Sequence, residues 1–423
     1  MAKRATQAAM MTRRSALGLA LTAALPLAAG IRQPLAAAEP VPNTWMYAGN
    51  AARTGVFPGP GPDLDKEVIE LWRIDKRQIG MFVEPCGVCD GIAYYLPVPD
   101  GISAEVRPLI AVDAHTGAEL WRHDPPVTDP VTSFWGQPAI ANGLLIMPTR
   151  TGLLVGLDAR SGEERWIFDV QGQTLDCRLA IADGVAYISD SASVNAVEVG
   201  NTAEWLWKSP LGDGTTSLVS GMVSVDDGYV VVSSVSPAPG SESEEKSTNI
   251  HVLDAVDGSE LYRYQFRPVG ESYQFAVENG ALYSQADAMP LDRSYFFSMS
   301  IDGTERWTSR KAPGDPSYPA VRGDLVYVAG GDRVFGFDAE TGETVWNSQL
   351  PQLVNSAVVL IDDVIYAGAA PPTPMIYTLN ATDGALLKSI PTPFDGGARV
   401  IGATGGILIA RSGVNLVALA NQS

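Results

Sequence analysis

The sequence predicts an all-β fold, a closed eight-bladed β-propeller built from four-stranded antiparallel blades. Two observations lead to this prediction. First, one pattern recurs at a spacing of about 40–50 residues, which is typical of propellers and solenoids. Each copy has a short apolar strand, a turn close to Asp-Ala-x-x-Gly, and in most copies an aromatic residue soon afterwards. The seven copies begin at Val112, Leu157, Val197, Leu253, Ser300, Phe337 and Leu379. Second, each end of the chain carries a fragment of one further unit.

Residues 138–169 show one complete unit. An apolar stretch at 138–141 is followed by Asn142-Gly143, a strong hairpin signal, and by a second apolar stretch at 144–148. Two more strand-like stretches, 153–159 and 163–169, complete the unit. Four short strands joined by tight turns form a meander, which is one propeller blade. We expect the turn glycines to supply positive φ angles rather than to bind anything.

The two incomplete units complement each other. Residues 68–73 have the character of a fourth strand with no first three strands before it. Residues 414–419 have the character of a third strand with no fourth strand after it. Together they complete an eighth blade, so the N- and C-terminal segments are predicted to close the ring. Closure removes the open sheet edges that otherwise favour aggregation.

The phrase Asp-Ala-x-Thr-Gly-x-x-x-Trp, found at residues 113–121 and 338–346, resembles the PQQ-like (quinoprotein-type) propeller repeat. Residues 45–55 are similar to the lead-in that precedes the propeller in that family. The resemblance implies that the repeat tryptophans dock neighbouring blades. The tryptophans that fit this role are Trp121, Trp166, Trp307 and Trp346. Tyr262 and Lys388 depart from the pattern, so their blades are expected to dock less well.

The N-terminus has the order of an export signal. Arg13-Arg14 precedes an apolar stretch at 16–30 that is too short for a comfortable membrane span, and small residues at 36–38 offer a cleavage site. We therefore divide the chain into a signal peptide (1–38), a lead-in (39–67) and a propeller (68–423). Paired arginines favour the twin-arginine route, with an ordinary basic signal as the alternative. We expect the protein to be periplasmic or extracellular. We also expect it to be a monomer and to have no stable membrane anchor.

The net charge and the cysteine spacing argue against several classes of partner and cofactor. Removal of residues 1–38 takes away five basic residues and no acids, which lowers the formal net charge from −19 to −24. This charge argues against nucleic acid or an anionic membrane as partner. Cys86 and Cys89 form a CxxC without a following histidine or a second CxxC, which argues against haem attachment and zinc. In an extended strand their spacing of about 10 Å exceeds disulfide reach, whereas a turn would allow a redox role.

Three scattered histidines make a metal cluster or a Ser-His-Asp triad an unpromising interpretation, and we name no catalytic or metal-binding residue. Function is expected instead at the end of the blades that carries the long insertions, because variable loops on a rigid scaffold often carry function. These insertions are 97–108, 237–249, 286–294 and 368–374, and the blade link 125–133 lies at the same end. The starts of the innermost strands lie at the same end. Candidate binding residues there are Trp135, Gln137, Arg178, Tyr273, Gln274, Tyr318, Asn355 and Arg399.

Aromatic, amide and guanidinium groups around a channel mouth suit a small anionic ligand or a protein side chain, although any channel mouth is polar. The sequence therefore favours a non-catalytic binding or scaffold module. The alternative is a PQQ-dependent dehydrogenase, since the family also includes quinone-dependent dehydrogenases and an outer-membrane assembly lipoprotein. Against that alternative, the chain lacks the adjacent cysteine pair of many such enzymes, and Asp176 is the sole acid we nominate at the channel end. The cofactor stays unknown, with PQQ not favoured.

Overall fold

The computed structural model confirms an all-β, eight-bladed propeller. It describes residues 44–75, 82–98, 107–126, 137–172, 179–212, 218–219, 222–237, 246–266, 274–286, 295–310, 317–354, 356–371, 373–392 and 396–422. These residues form 34 strands in eight sheets and no α-helix. Accordingly, no helix in this part of the chain is long and apolar enough to cross a membrane.

Seven blades follow the chain in order, and within each blade neighbouring strands are antiparallel. Blade 1 contains β3 (Phe82–Cys89), β4 (Ile92–Val98), β5 (Leu109–Asp113) and β6 (Glu119–His123). Blade 2 contains β7 (Ala139–Ala141), β8 (Leu144–Pro148), β9 (Leu153–Asp158) and β10 (Glu164–Asp169). Blade 3 contains β11 (Ala180–Ala182), β12 (Val185–Ser189), β13 (Ser193–Val199) and β14 (Ala203–Pro210). Blade 4 contains a split inner strand, β15 (Leu218–Val219) and β16 (Ser224–Asp226), then β17 (Tyr229–Pro237), β18 (Lys246–Asp254) and β19 (Glu260–Phe266).

The remaining blades keep the same plan. Blade 5 contains β20 (Ala276–Glu278), β21 (Ala281–Ala286), β22 (Tyr295–Ser300) and β23 (Glu305–Ser309). Blade 6 contains β24 (Ala320–Arg322), β25 (Leu325–Gly330), β26 (Arg333–Asp338) and β27 (Thr344–Gln349). Blade 7 contains β28 (Val359–Ile361), β29 (Val364–Gly368), β30 (Met375–Asn380) and β31 (Leu386–Pro391). Blade 8 contains β32 (Ala398–Thr404), β33 (Ile407–Ser412), β34 (Asn415–Asn421) and, from the N-terminal side, β2 (Val68–Ile74).

The ring closes in blade 8, as the sequence predicts. Strand β2 pairs with β34 in antiparallel register, with Trp72 opposite Ala418. A side-chain latch reinforces the closure, because the Asn421 amide donates to the carbonyls of Asp63 and Glu67 at 2.7 and 3.1 Å. Strand β34, the last strand of the chain, is therefore paired on both sides, with β33 and with β2. The ring has no open edge at this point.

Tryptophans dock the blades, as the family resemblance implies. The indole N–H of Trp121 donates to the carbonyl of Ala159 in the next blade, and Trp307 donates likewise to Ala339. Each ring also lies on the turn glycine of that blade, so that a Cβ on Gly162 would come within 2.6 Å of Trp121. The positive φ of that glycine, 73°, adds a second reason for the absence of a side chain. Trp72, Trp166, Trp207 and Trp346 make the corresponding hydrogen bonds.

Two joints use other residues. In blade 4 the docking group is Tyr264, whose hydroxyl donates to the carbonyl of Ile301 at 2.6 Å, while Tyr262 stacks beside it. In blade 7 the ammonium group of Lys388 donates to the carbonyls of Leu64 and Lys66, both at 2.6 Å. Each of these joints thus keeps a hydrogen-bonded contact of different chemistry, and poorer docking of these two blades stays a prediction.

Residues 44–57 fill the central channel, a placement that the sequence did not predict. Trp45 exchanges backbone hydrogen bonds with Ile140 of blade 2. The carbonyls of Ala51, Ala52, Thr54 and Gly55 then accept the N–H groups of Val225, Val277, Val321 and Leu360, one from each of blades 4 to 7. The short strand β1 (Val56–Phe57) adds to blade 7 in parallel register. We call residues 44–57 the channel plug.

The path of the chain through each four-stranded meander determines which turns lie at which end of the channel. Innermost strands begin at one end, which also receives the second turn of each blade; we call it the insertion end. They finish at the other end, which carries the first and third turns; we call it the tight-turn end. Asn142-Gly143 lies there with φ angles of 52° and 73°, as its hairpin signal predicts. The inner parts of the predicted insertions, at 99–106, 238–245, 287–294 and 372, and most of the blade link 125–133, lie outside the described residues.

Candidate functional site

A small cavity lies at the insertion end of the channel, between the plug and the starts of the innermost strands. The space in this cavity that water-sized molecules can occupy is about 30 Å³. The plug contributes Trp45, Tyr47 and Phe57 to its wall. The blades contribute four of the residues predicted from the sequence, namely Gln137, Gln274, Tyr318 and Arg399. Ring geometry therefore brings these four together from blades 2, 5, 6 and 8, although that placement alone does not establish that they bind a ligand.

Two amide oxygens in this cavity wall have no hydrogen-bond donor. Gln137 and Gln274 are 8% and 2% exposed, and the Oε1 atom of each is buried without a partner among the described residues. A buried polar atom that lacks its hydrogen bond costs about 1–3 kcal/mol. Bound water or a ligand with N–H or O–H donors would remove this cost, and a volume of this size admits about two water molecules.

Arg399 supplies positive charge to the same cavity. Its guanidinium lies 5.2 Å from the ring centre of Tyr47 in the plug, an attractive cation–π arrangement. Within the described part of the chain it has no carboxylate partner within ion-pair distance. Arg411 stands directly opposite Arg399 on the neighbouring strand. Like charges directly opposite on a sheet repel, so an anion here would relieve that repulsion.

The other four predicted site residues, Trp135, Arg178, Tyr273 and Asn355, lie outside the described residues, as does Asp176. Their convergence on this end of the channel stays a prediction. Sequence reasoning missed the aromatic residues of the plug. The signal that was available was the aromatic-rich lead-in 45–55, which had no strand partner of its own in the predicted blades.

The CxxC motif is part of an extended strand, and its two buried cysteines are not joined by a disulfide. The expectation that an extended segment cannot form this disulfide is confirmed. Burial, with a smaller contribution from the nearby charge of Asp90, raises the pKa of Cys89 to about 12. A thiol with this pKa stays protonated at neutral pH, which removes support for the redox interpretation. The third cysteine, Cys177, lies outside the described residues.

Blade 4 contains a hydrogen-bonded chain that resembles a nucleophile, a base and an orienting carboxylate. Ser234 Oγ lies 2.7 Å from His251 Nε2, and His251 Nδ1 lies 2.7 Å from Glu260 Oε1. Burial opposes ionisation of Glu260, but hydrogen bonds from His251 and Arg263 outweigh it and lower the pKa of that carboxyl. Ser234 and His251 are each only 1% exposed, so substrate has no access to the hydroxyl. This network links β17, β18 and β19 of blade 4 through side chains.

Comparison with known families decides the classification. Residues 107–199 and 296–420, just over half of the chain, match the model of the PQQ_2 family, outer membrane protein assembly factor BamB. The chain belongs to this family of PQQ-like propellers. The match covers blades 1 to 3 and 5 to 8 in whole or in part, and so includes most of the docking tryptophans described above.

Solved structures with the same fold include both classes suggested by the sequence. BamB from Moraxella catarrhalis is 17% identical, with a TM-score of 0.53, over 84% of this chain and 98% of that chain. Quinohemoprotein alcohol dehydrogenase from Comamonas testosteroni is 15% identical, with a TM-score of 0.59, over 89% of this chain and 80% of that chain. A europium-containing methanol dehydrogenase is 13% identical, with a TM-score of 0.56, over 88% and 89%. At these identities the likeness establishes the fold alone.

A relative by sequence is much larger. The serine/threonine-protein kinase AfsK of Streptomyces coelicolor is 31% identical over 133 residues. The match covers 30% of this chain and only 15% of the length of the kinase. It therefore relates one stretch of the two chains and carries no statement about the activity of this one.

Proposed function

We propose that the protein is an exported, non-catalytic binding or scaffold propeller that takes an anionic group, from a small molecule or from a protein side chain, at the insertion end. The observation that carries this proposal is the donor and acceptor arrangement of the cavity wall. Arg399 offers a guanidinium without a carboxylate partner in the described part of the chain, and two buried glutamine oxygens there await donors. A carboxylate that also bears hydroxyl or N–H groups would satisfy both needs.

Export is part of the proposal and rests on the sequence. The Arg13-Arg14 pair, the short apolar stretch and the small residues at 36–38 support transport by the twin-arginine route to the periplasm or beyond. Family membership supports a protein-binding role, since the matched family is described as an outer membrane protein assembly factor. The absence of a cysteine at the proposed cleavage site supports a protein without a lipid anchor.

The alternative, a PQQ-dependent dehydrogenase, has a poorer fit. The chain lacks the adjacent cysteine pair of many such enzymes, and none of the described residues that line the cavity is an acid. Bound quinone absorbs in the near-ultraviolet and visible, so the spectrum of the purified protein separates the two candidates. A quinone band that disappears on denaturation and dialysis would favour the dehydrogenase.

Calorimetry with named probes tests the binding role. Citrate and a hexaglutamate peptide, titrated into the full chain, should each release heat, with affinity lost in the Arg399→Ala variant and partly kept in Arg399→Lys. The matched control is Arg333→Ala, because this arginine also lies at the insertion end but is bonded to Asn347 at 2.6 Å and lines no part of the cavity. Equal loss in both alanine variants, or no heat with either probe, would overturn the proposal.

A further inference from the structure

The tight-turn end of the channel carries acidic side chains at the ends of its innermost strands. Six of them come from blades 3, 4, 5 and 7: Asp183, Asp226, Asp227, Glu278, Asp362 and Asp363. Among the described residues at these strand ends, Arg322 is the single cationic side chain. The third turns add an aspartate from most blades at the same end, so negative potential from many turns is focused on one face.

Glu278 is a buried acid of this mouth whose carboxylate is only partly hydrogen-bonded. Its side chain is 8% exposed, and its Oε1 atom accepts the backbone N–H of Gly323 at 3.1 Å. Its Oε2 atom is buried and has no hydrogen-bond partner among the described residues. Asp226 and Asp324 face it from the neighbouring blades, together with the guanidinium of Arg322. A buried carboxylate that lacks a partner within a ring of carboxylates is costly, and a cation would offset that cost.

Arg322 illustrates the chemistry that this mouth accepts. Its guanidinium crosses from blade 6 to blade 7, where it donates to the carbonyl of Asp362 and to the carboxylate of Asp363, the latter at 2.6 Å. The mouth thus already holds one cationic side chain through a carbonyl and a carboxylate at a strand end. The carboxylates of Asp226 and Glu278 accept backbone N–H groups and have no ion-pair partner among the described residues.

We propose that the tight-turn mouth binds a lysine- or arginine-rich segment of a partner protein, with Glu278 as the anchor for one cationic head group. The distribution of the carboxylates favours a polypeptide over a metal ion. They are spaced from blade to blade, and no cluster of three or more His, Cys, Asp or Glu in the described part of the chain could hold a metal. Such a spacing matches several charges along a chain rather than one ion. The same charges repel phosphate groups, which excludes nucleic acid from this face.

The ionisation of the mouth agrees with this assignment. Burial, followed by the charge of Asp227, raises the pKa of Asp226 to about 6. Burial likewise raises the pKa of Glu278 to about 7; the charges of Asp226 and Asp324 add to this effect, and that of Arg322 opposes it. A cationic head group at the mouth would keep both carboxylates ionised. Affinity for a basic peptide should therefore fall as the pH drops from 8 to 5.

The test is titration calorimetry of the full chain with a deca-lysine peptide at low ionic strength. The double variant Glu278→Gln/Asp226→Asn should lose about tenfold or more in affinity, the scale of one desolvated charge contact. The control Asp124→Asn/Asp332→Asn removes the same charge from the insertion end and should change affinity less than about twofold, as expected of charges outside the contact. Equal losses in the two variants, or no binding by the wild type, would overturn the proposal.

Two further measurements keep the test independent of variant folding. Calcium titrated alone should give the same result with the wild type and with the tight-turn double variant. If calcium binds only the wild type and also displaces the peptide, the mouth is a metal site and the proposal is wrong. Zero-length cross-linking of deca-lysine to the wild-type protein, mapped by mass spectrometry, should join the peptide to carboxylates of the tight-turn end. Cross-links concentrated at the insertion end would contradict the assignment.

Discussion

The two ends of the propeller channel are built from the same strands yet present opposite chemistry. At the insertion end the strands begin with amides, aromatic residues and Arg399, and the plug closes the channel behind them. At the tight-turn end the strands finish with carboxylates, of which Glu278 is buried without a full set of partners. Part of the difference arises because Asp183, Asp227 and Asp362 lie in turns with positive φ, which Asp tolerates, whereas the strand starts carry no such backbone requirement. The two proposals therefore assign ligands of opposite charge to the two faces of one scaffold.

The largest expected effect tests the plug, which separates the two ends. Trp45 is buried, donates its indole N–H to the carbonyl of Ile401 at 2.9 Å, and packs on Gly87 of blade 1. Trp45→Ala should lower the free energy of unfolding by about 3–5 kcal/mol, the usual cost of removing a buried tryptophan. Urea denaturation measures this change. Trp205→Ala, at a partly exposed position on the rim, is the control and should cost much less. Equal costs would mean that the plug does not support the ring.

The next effect concerns the buried acid of the tight-turn end. Because the pKa of Glu278 in the folded protein is about 7 against an ordinary 4.5, its stabilising contribution is fully present below pH 4.5 and is lost as the pH rises through 7. Glu278→Gln should therefore unfold with a free energy up to about 3 kcal/mol higher than the wild type at pH 8, with no advantage at pH 4.5. Urea unfolding at both pH values measures the difference.

Glu119→Gln provides the opposite sign as a control. The hydrogen bond from Arg122 lowers the pKa of Glu119, so this substitution should not stabilise the protein at pH 8. If Glu278→Gln is less stable than the wild type at pH 8, the carboxylate is satisfied in solution. The tight-turn end would then have no unsatisfied carboxylate at Glu278, and the described contrast between the two channel ends would be wrong.

These expectations rest on features that differ in how far the sequence predicts them. Gln137, Gln274, Tyr318 and Arg399 could be placed together because each lies at a similar offset before its first-turn glycine, and a ring repeats that offset in space. The docking tryptophans and the Asn142-Gly143 turn were accessible for the same reason, since they depend on local pattern. The eight blades follow from counting the repeats and their incomplete ends.

Other features depend on contacts that local pattern does not encode. Trp45 reaches Ile401, 356 residues further along the chain, and no periodicity in the lead-in announces that contact. Tyr264 docks in place of Tyr262 although both lie on one face of β19, because only the distance to the next blade decides which hydroxyl reaches Ile301. The unusual pKa of Glu278 likewise needs the neighbouring blades, which supply its burial and its acidic surroundings.

The smallest expected effect on stability belongs to Arg399. Its cation–π contact with Tyr47 contributes about 0.5–1 kcal/mol, and relief of repulsion from Arg411 offsets part of that loss in an Arg399→Ala variant. We expect the melting temperatures of variant and wild type to agree closely in buffer. With excess citrate only the wild type should gain stability, because ligand bound to the native state stabilises it. A large loss in buffer would assign Arg399 to the structural frame instead.

Hydrogen–deuterium exchange of the full chain with each probe tests the two-ended account most directly. Citrate should slow exchange in peptides that contain the starts of the innermost strands, around Gln137, Gln274 and Arg399, and leave the tight-turn end unchanged. Deca-lysine should slow exchange around Asp226, Glu278 and Asp362 and leave the insertion end unchanged. Protection of the same end by both probes, or protection by neither, would contradict the claim that the two ends of the channel bind opposite charges.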